Sequence, residues 1–200
     1  MKIVFATRNK NKVREISSIL DGISVDFISL DDYPKMPDTV EDGQTFEENA
    51  IKKAREAVEY TGFPALADDS GLCVDALSGG PGIYSARFAG PGCTYDDNNN
   101  KLLHDLKDVK AGERGAYFLC VSALVLTNGR ALTRCGQING IITREKRGSS
   151  GFGYDPIFAL PDGRTFAEIS AKEKDSISHR AKAFKKISEI IRNLIDGKEL

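Results

Sequence analysis

Pro64-Ala-Leu-Ala-Asp-Asp-Ser-Gly71 joins a short apolar run to two adjacent carboxylates, Asp68 and Asp69. The apolar run lies between a proline and a glycine, which predicts a short buried strand that ends at the acids. Open α/β sheets bind ligands at the carboxyl ends of their strands. Neighbouring side chains of an extended chain point to opposite faces, so the two acids are expected to do different jobs. An acidic turn without a function fits the same eight residues when they are taken alone.

The length and composition restrict the protein to a few classes. A chain of 200 residues is enough for one well-cored domain, residues 1–200, with room for two lobes. Its formal net charge of −1 gives no general attraction to nucleic acid or acidic lipid, so neither a nucleic acid nor a membrane is expected as a partner. Four cysteines without a CxxC pair and only two histidines argue against a zinc site and a disulfide framework. A cytoplasmic location is expected, because no leader or membrane segment is evident.

A polar, basic turn follows the first predicted strand. Residues 2–6 form an apolar, β-branched run, and apolar residues at helical spacing begin at Val13. The turn between them supplies capping oxygens from Thr7 and Asn9 and positive charge from Arg8, Lys10 and Lys12. A turn from a strand into a helix favours an anion, because free N–H groups and the helix dipole point at it. A solvated basic turn is the alternative, since no Walker or dinucleotide-binding motif is present.

A second helix is predicted after an acidic loop. Residues 24–28 read as a strand, and the polar loop that follows carries Glu41 among several acids. Thr45 is a predicted helix cap, and the apolar positions that follow have helical spacing. Asn49 and Lys53 lie four residues apart and therefore share a helix face. That face could point into a cleft, or it could be an exposed polar stripe.

The second half of the chain has a different pattern from the first. Residues 117–127 and 130–135 flank Asn128-Gly129, a strong signal for a β-hairpin, and residues 138–143 predict a third antiparallel strand. Strands and helices alternate in the first half, so the whole chain predicts a mixed sheet or two lobes with a cleft between them.

Two late stretches carry unusual chemistry. Residues 148–156 place glycines around Phe152, Tyr154 and Asp155, which suits a purine: either aromatic ring can stack, and the acid can accept hydrogen bonds from ring N–H groups. A glycine-rich turn with buried aromatics is the alternative. His179 and Arg180 fall in the first turn of a long predicted C-terminal helix, where positive charge is unfavourable unless an anion or an acid lies nearby.

Carboxylates beside basic clusters imply a magnesium ion bound together with phosphate. Mg²⁺ takes oxygen ligands and bridges to phosphate oxygens. Metal-assisted attack of water on a phosphoryl group is therefore the natural reaction class.

Six motifs follow one another along nearly the whole chain: Thr7-x-Asn9-x-x-Lys12, Phe46-Glu-Glu-Asn-Ala50, Ala67-Asp-Asp-Ser-Gly-Leu72, Gly82-x-Tyr-Ser-Ala-Arg87, Gly151-Phe-Gly-Tyr-Asp-Pro156 and Ser178-His-Arg180. Together they resemble the motifs of the inosine triphosphate pyrophosphatase family, which acts on noncanonical purine nucleotides. The resemblance implies an elongated α/β protein, with a mixed sheet flanked by helices, two lobes and a cleft between them, and generally a homodimer. It also implies hydrolysis of ITP, dITP or XTP to the monophosphate and pyrophosphate with Mg²⁺.

The resemblance assigns roles motif by motif. Asp69 is the implied proton acceptor, and Glu41 and Asp69 are the implied metal ligands. Ser70 is implied to lie against the substrate. The implied triphosphate ligands are Thr7, Arg8, Asn9, Lys10, Asn11, Lys12 and Lys53. The implied base pocket consists of Phe152, Gly153, Tyr154, Asp155, Lys174, His179 and Arg180.

The chemistry of the bases agrees with this assignment. Hypoxanthine and xanthine present a keto oxygen where adenine has an amino group, and a cation such as Arg180 or a backbone N–H suits the oxygen. Adenine would then leave buried donors without acceptors, which produces strong rejection. Two other readings stay open: a pyrophosphatase for pyrimidine or other modified nucleotides, and a nucleotide-binding module without turnover.

Overall fold

The computed structural model describes residues 1–198. Within them the chain forms a mixed α/β structure with six strands and five α-helices. The strands are β1 (Lys2–Phe5), β2 (Asp26–Ser29), β3 (Ala65–Val74), β4 (Gly115–Val125), β5 (Ala131–Ile142) and β6 (Phe158–Ala159). The helices are α1 (Lys10–Ile19), α2 (Phe46–Thr61), α3 (Tyr95–Asp105), α4 (Ala171–Ile177) and α5 (His179–Ile195).

All the strands belong to one sheet in the order β2-β1-β3-β4-β5-β6. β1 pairs in parallel with both β2 and β3, whereas β5 and β6 are antiparallel. A tight turn joins β4 to β5, and its backbone hydrogen bond runs from Leu126 N to Arg130 O over 2.9 Å. The mixed sheet predicted from the sequence is confirmed, with its parallel part in the first half of the chain and its antiparallel part in the second.

The chain divides into two compact units, each with its own core. The first unit comprises Met1–Asp69, Cys120–Gly136 and the segment from His179. In it, apolar side chains of α1 and α5 pack on the sheet around Ile16, Phe184 and Ile187, and a further cluster lies under α2. The second unit comprises Ser70–Leu119 and Gln137–Ser178. Phe118, Phe158 and Phe166 are at the centre of its core. The assignment of residues 1–200 to a single domain stays a prediction.

The prediction that the central strand ends at the two acids is wrong. β3 continues through Asp68 and Asp69 to Val74, so both carboxylates lie inside a strand and are buried. Buried acids are tolerated there because cations from distant parts of the chain offset their charge. The expectation that their side chains face different surroundings holds, as their contacts show below.

The predicted third antiparallel strand is also wrong, because β5 runs without a break from Ala131 to Ile142. Gly136 lies inside β5, between the two predicted strands, and packs closely against α5. A Cβ atom there would lie 2.2 Å from the carbonyl oxygen of His179 and 2.5 Å from the amide nitrogen of Ala183. Glycine is required at this position so that α5 can pass close to the strand.

The long C-terminal helix is present, with His179 and Arg180 in its first turn. Ser178 has extended backbone and separates α4 from α5, so Ile177 belongs to α4, and His179 and Arg180 open α5. No helix within residues 1–198 is both long and apolar enough to cross a membrane.

Candidate active site

The turn between β1 and α1 is capped by its own side chains. Asn9 Oδ1 accepts hydrogen bonds from the backbone N–H groups of Asn11 (3.0 Å) and Lys12 (3.3 Å), and Thr7 Oγ1 accepts one from Asn9 N (3.2 Å). This N-cap starts the helix and leaves the side chain of Lys12 to run inward. Lys10 and Asn11 are exposed, whereas Lys12 is partly buried, so the two lysines of this turn have different surroundings.

Asp68 lies in a buried ionic network. Its Oδ2 atom is 3.1 Å from Lys12 Nζ and 3.3 Å from Arg180 Nη2, and the thiol of Cys120 also approaches it. Burial alone would raise the pKa of Asp68, but the charges of Lys12 and Arg180 outweigh burial and hold it well below its ordinary value. Asp68 is therefore a permanent anion that orients two cations.

Glu15 completes this network from α1. Its Oε2 atom is 2.5 Å from Arg180 Nη1, and its side chain is almost fully buried. Together Lys12, Glu15, Asp68 and Arg180 contribute two positive and two negative charges. Glu15 was not predicted from the sequence as a site residue. Its one signal was its position directly before Ile16, on the side of α1 that is buried.

Asp69 has different partners from Asp68. Asn49 Nδ2 donates to Asp69 Oδ2 over 3.1 Å, and Lys53 Nζ lies 3.4 Å from Asp69 Oδ1. Lys53 also pairs with Glu41 over 2.6 Å. Burial raises the pKa of Asp69, and the nearby carboxylate of Glu41 adds to this, against the opposing charge of Lys53. A largely buried carboxylate with a raised pKa is the type of group that acts as a general base.

Asn49 joins Asp69 to the loop that carries Glu41. Its Oδ1 atom accepts from Gly43 N over 2.8 Å while its Nδ2 donates to Asp69, so both ends of the fully buried amide are used. A Cβ atom on Gly43 would lie 2.7 Å from Asn49 Oδ1, which explains the glycine. The sequence placed Asn49 on the same helix face as Lys53 but did not select it as a site residue.

Glu41 and Asp69 are chemically suited to a divalent cation. Both carboxylates contact the ammonium group of Lys53, so positive charge is favourable at the point where they approach each other. Within residues 1–198 there is no group of three or more His, Cys, Asp or Glu side chains that could hold a metal. Two carboxylates still match Mg²⁺, which keeps water molecules and takes phosphate oxygens as its other ligands.

The second unit contains the glycine-rich loop, and Asp155 organises it. Asp155 Oδ2 accepts from Phe152 N over 2.8 Å and pairs with Lys174 Nζ at 2.5 Å. Gly151 has a φ of +77°, and a Cβ atom there would lie 1.9 Å from Asp155 Oδ2. The loop can therefore close on the carboxylate only with glycine at this position.

The two aromatic residues of this loop have separate environments. Tyr154 is buried, and its hydroxyl donates to the carbonyl oxygen of Ser85 over 2.9 Å. Burial raises the pKa of Tyr154 well above its ordinary value. Phe152 is only half-buried, with Lys174 Nζ 4.7 Å from its ring centroid and the ring of Tyr95 beside it. Phe152 is thus the ring available for stacking, and Tyr154 is a structural support.

Asn99 on α3 holds the middle of the same loop. Its Nδ2 atom donates to the carbonyl oxygen of Gly153 over 3.0 Å, and the side chain is buried. A capping box of Thr94 with Asp97 starts this helix. The three asparagines at 98–100 gave no signal of such a contact in the sequence.

The remaining predicted site residues are placed as follows. Ser70 is half-buried in β3 and belongs to the second unit. His179 is buried in the first turn of α5. Arg8 contacts the loop that follows β2 and does not join the network around Asp68. The first unit thus brings together Lys12, Lys53, Glu41, Asp69 and Arg180, and the second unit brings together Phe152, Gly153, Asp155 and Lys174.

Comparisons with known proteins give one family. Residues 3–190 match the Ham1 family. A protein of Geobacter sulfurreducens named dITP/XTP pyrophosphatase is 50% identical over 183 residues, covering 91% of this chain and 92% of the relative. A protein of Desulforamulus reducens with the same name is 49% identical over the full length of both chains. The solved structure of a HAM1 protein from Coxiella burnetii has a TM-score of 0.89 and 42% identity, covering 96% of this chain and 99% of that one.

Proposed function

The chain belongs to the Ham1 family, and from this we propose that it hydrolyses deaminated purine nucleoside triphosphates. The substrates are ITP, dITP and XTP, and the products are the nucleoside monophosphate and pyrophosphate. The names of the two relatives described above support this substrate class. The protein would thereby remove deaminated purines from the nucleotide pool.

One observation carries the proposal: a largely buried carboxylate, Asp69, with a raised pKa, held by the Asn49 amide and the Lys53 ammonium beside Glu41. This arrangement provides a base, a cation for phosphate oxygens and a pair of carboxylates for a metal within one small region.

Asp69 is the proposed proton acceptor in the reaction. It takes a proton from a water molecule whose oxygen attacks the α-phosphorus. The bond between the α-phosphorus and the bridging oxygen to the β-phosphorus breaks, and pyrophosphate leaves with that oxygen. Asn49 keeps the carboxylate in position, because its Nδ2 atom donates to the Oδ2 atom of Asp69.

The triphosphate is proposed to bind through Lys12, Lys53 and four more residues of the capped turn, Thr7, Asn9, Lys10 and Asn11, with Ser70 against the substrate. Lys53 is suited to this task because its ammonium is buried, and the acids around it raise its pKa despite that burial. Mg²⁺ is the proposed cofactor, and Glu41 and Asp69 would hold it. When bound, it would neutralise charge on the phosphate oxygens and on the leaving pyrophosphate.

The base is proposed to bind to Phe152, Gly153 and Asp155, with Lys174 beside them. Phe152 offers its ring for stacking, and backbone groups around Gly153 can approach a flat ligand. His179 and Arg180 are also assigned to base recognition, and Tyr154 supports the loop from the core. Arg180 would contribute its positive charge to base recognition while it remains paired with Glu15 and Asp68.

The experiment that tests this function measures pyrophosphate release from a panel of nucleoside triphosphates, with and without Mg²⁺. ITP, dITP and XTP should be hydrolysed with Mg²⁺, and ATP, GTP, CTP and UTP should be poor substrates. Faster release of pyrophosphate from a pyrimidine nucleotide would instead indicate a pyrophosphatase for pyrimidine or other modified nucleotides. Tight ITP binding without release would identify a binding module.

A homodimer in the cytoplasm completes the proposal. All four cysteines of the chain are free thiols in the described structure, which suits a reducing compartment. Sedimentation equilibrium would test the dimer, since a monomer at micromolar concentration would contradict it.

A further inference from the structure

Arg8 lies in the basic turn, but its guanidinium group points at protein oxygens. Nη1 is 2.6 Å from Asp38 Oδ1, and Nη2 donates to the carbonyl oxygens of Met36 (2.8 Å) and Tyr33 (3.1 Å). Three acceptors from three residues thus converge on one planar cation. A lysine ammonium cannot reproduce this fork, because it offers its donors from a single atom.

The acceptors all lie at the start of one irregular segment, residues 33–45, which we call the Glu41 loop. No helix or strand supports this loop between the 3₁₀ turn that ends at Asp32 and the start of α2 at Phe46. Contacts outside the loop must therefore fix its position.

The far end of the Glu41 loop is attached to α2. Lys53 pairs with Glu41 at 2.6 Å, Lys52 pairs with Asp42 at 2.6 Å, and Asn49 accepts from the Gly43 backbone. Arg8 makes the matching attachment at the near end. Glu41 itself belongs to the far attachment, and Thr39, which donates to Glu56 on α2, lies between it and the residues that Arg8 holds. The position of Glu41 therefore depends on Arg8 as well as on α2.

The two carbonyl contacts of Arg8 matter more than its ion pair. The Asp38 side chain is 86% exposed, and an exposed ion pair of this kind contributes little. The carbonyl oxygens of Tyr33 and Met36 are partly buried and are bonded by a charged donor, which makes stronger hydrogen bonds. The contact therefore fixes the loop backbone and not merely one side chain.

We infer that Arg8 is a positioning residue for the Glu41 carboxylate and its divalent cation, and not a ligand of the triphosphate. The inference rests on the proposed function, because that function gives Glu41 its role. Binding a phosphate would require Arg8 to release two backbone carbonyls and an aspartate. Lys12, which pairs with Asp68, can bind phosphate without giving up a contact to the Glu41 loop.

The test compares Arg8→Gln and Arg8→Lys with Lys35→Gln, a matched control that removes one positive charge from an exposed position of the same loop. The first readout is Mn²⁺ binding to the nucleotide-free protein. It is measured as the decrease in the electron paramagnetic resonance signal of free Mn²⁺. Both Arg8 variants should bind Mn²⁺ about tenfold more weakly than the wild type, as is typical when the support of a metal ligand is lost. Lys35→Gln should bind it as the wild type does.

The second readout separates the metal from the phosphate. At saturating metal, the KM for ITP and the inhibition constant of inorganic pyrophosphate should change by less than about twofold in the Arg8 variants. Amide hydrogen exchange in residues 33–44 should become faster, with exchange in α3 and β4 unchanged. The Arg8→Lys variant keeps the charge and serves as the test if Arg8→Gln does not fold.

Three outcomes would overturn the inference. Weaker pyrophosphate inhibition with unchanged Mn²⁺ binding would make Arg8 a phosphate ligand. Unchanged Mn²⁺ binding and unchanged kinetics would leave Arg8 without either role. Absence of Mn²⁺ binding by the wild type would remove the site. The Mn²⁺ arm needs no turnover, so a protein that binds the metal but does not hydrolyse ITP would contradict the proposed function alone.

Discussion

The region around Asp68 and Asp69 and the loop around Asp155 are built on different physical principles. The first contains at least seven charged side chains, most of them buried and paired with one another. The second contains the buried ion pair of Asp155 with Lys174 and otherwise uses rings, glycines and backbone carbonyls. The described residues thus include one site suited to a highly charged ligand and one suited to a flat, neutral ligand.

The two regions indicate that phosphate cleavage and base recognition can be assigned to different parts of the protein. Phosphate groups are common to all nucleoside triphosphates, so the charged region should set the rate for every substrate. The base differs between substrates, so the loop around Asp155 should set the ratio between their rates. Variants of the two regions should therefore have distinct kinetic signatures.

The largest effect is expected from Asp69→Asn. Loss of the proton acceptor should lower kcat by about 100- to 10,000-fold for all nucleotides alike, with the fold intact. Pyrophosphate release and circular dichroism would measure this, with Asp26→Asn on the exposed face of β2 as the control. Retention of wild-type turnover with ITP would remove Asp69 from its role.

Asp69→Asn should also change the pH dependence of stability. The folded protein raises the pKa of Asp69. Ionisation of this carboxyl group therefore destabilises the fold once the pH rises above the ordinary pKa of the group, near 3.8. The variant has no such group, so its stability relative to the wild type should improve over the pH range that starts near 3.8 and ends at the raised pKa. Thermal unfolding with a chelator present would measure this, and a constant difference across the range would contradict it.

The next largest effect is expected from Asp68→Asn, and it concerns stability. Removing this carboxylate leaves Lys12 and Arg180 buried with less compensating charge, which should cost about 3–5 kcal/mol of unfolding free energy. Because the folded protein lowers the pKa of Asp68, this stabilisation is complete above its ordinary pKa near 3.8 and is lost as the pH falls below that value.

Urea unfolding at pH 7 and pH 3 would test this expectation. The exposed ion pair of Asp96 with Lys146 provides the matched control, since Asp96→Asn should cost much less stability than Asp68→Asn. Equal losses for the two variants would show that the network around Asp68 does not stabilise the fold.

A smaller and more selective effect is expected from Asp155→Asn. The loop loses the charge that orders Phe152 and Lys174, so the preference for ITP over ATP in kcat/KM should fall by at least about tenfold. Asp162→Asn, which weakens the exposed pair with Arg164 in the same unit, should leave the preference unchanged. An equal loss of activity towards both nucleotides would contradict the division of tasks.

The smallest effect is expected from Tyr154→Phe. The ring stays in place, and the Ser85 carbonyl loses its hydroxyl partner, which should cost about 1 kcal/mol of stability. The preference among nucleotides should not change. Tyr60→Phe on the exposed face of α2 is the control for thermal unfolding. A large loss of ITP preference would place Tyr154 against the base.

Local features of the fold were predictable because local chemistry fixes them. The helix cap at Thr45, the hairpin at Asn128-Gly129 and the start of α5 near His179 all follow from residues within one or two turns. The different surroundings of the Asp68 and Asp69 side chains likewise followed from the alternation of side chains along a strand.

The continuation of β3 through the two acids was not predictable in this way. The strand can hold Asp68 because Arg180, 112 residues further along the chain, pairs with it. Glu15, Asn49 and Asn99 gain their significance from contacts that the sequence does not display. A pattern of residue types indicates which groups are present, whereas burial and pairing decide what each group does.

In the proposed reaction, a water molecule activated by Asp69 attacks the α-phosphorus of ITP. Hydrolysis in heavy-oxygen water, followed by mass spectrometry of both products, tests this most directly. The label is expected in inosine monophosphate and not in pyrophosphate. Label in pyrophosphate, or release of inorganic phosphate in its place, would contradict it.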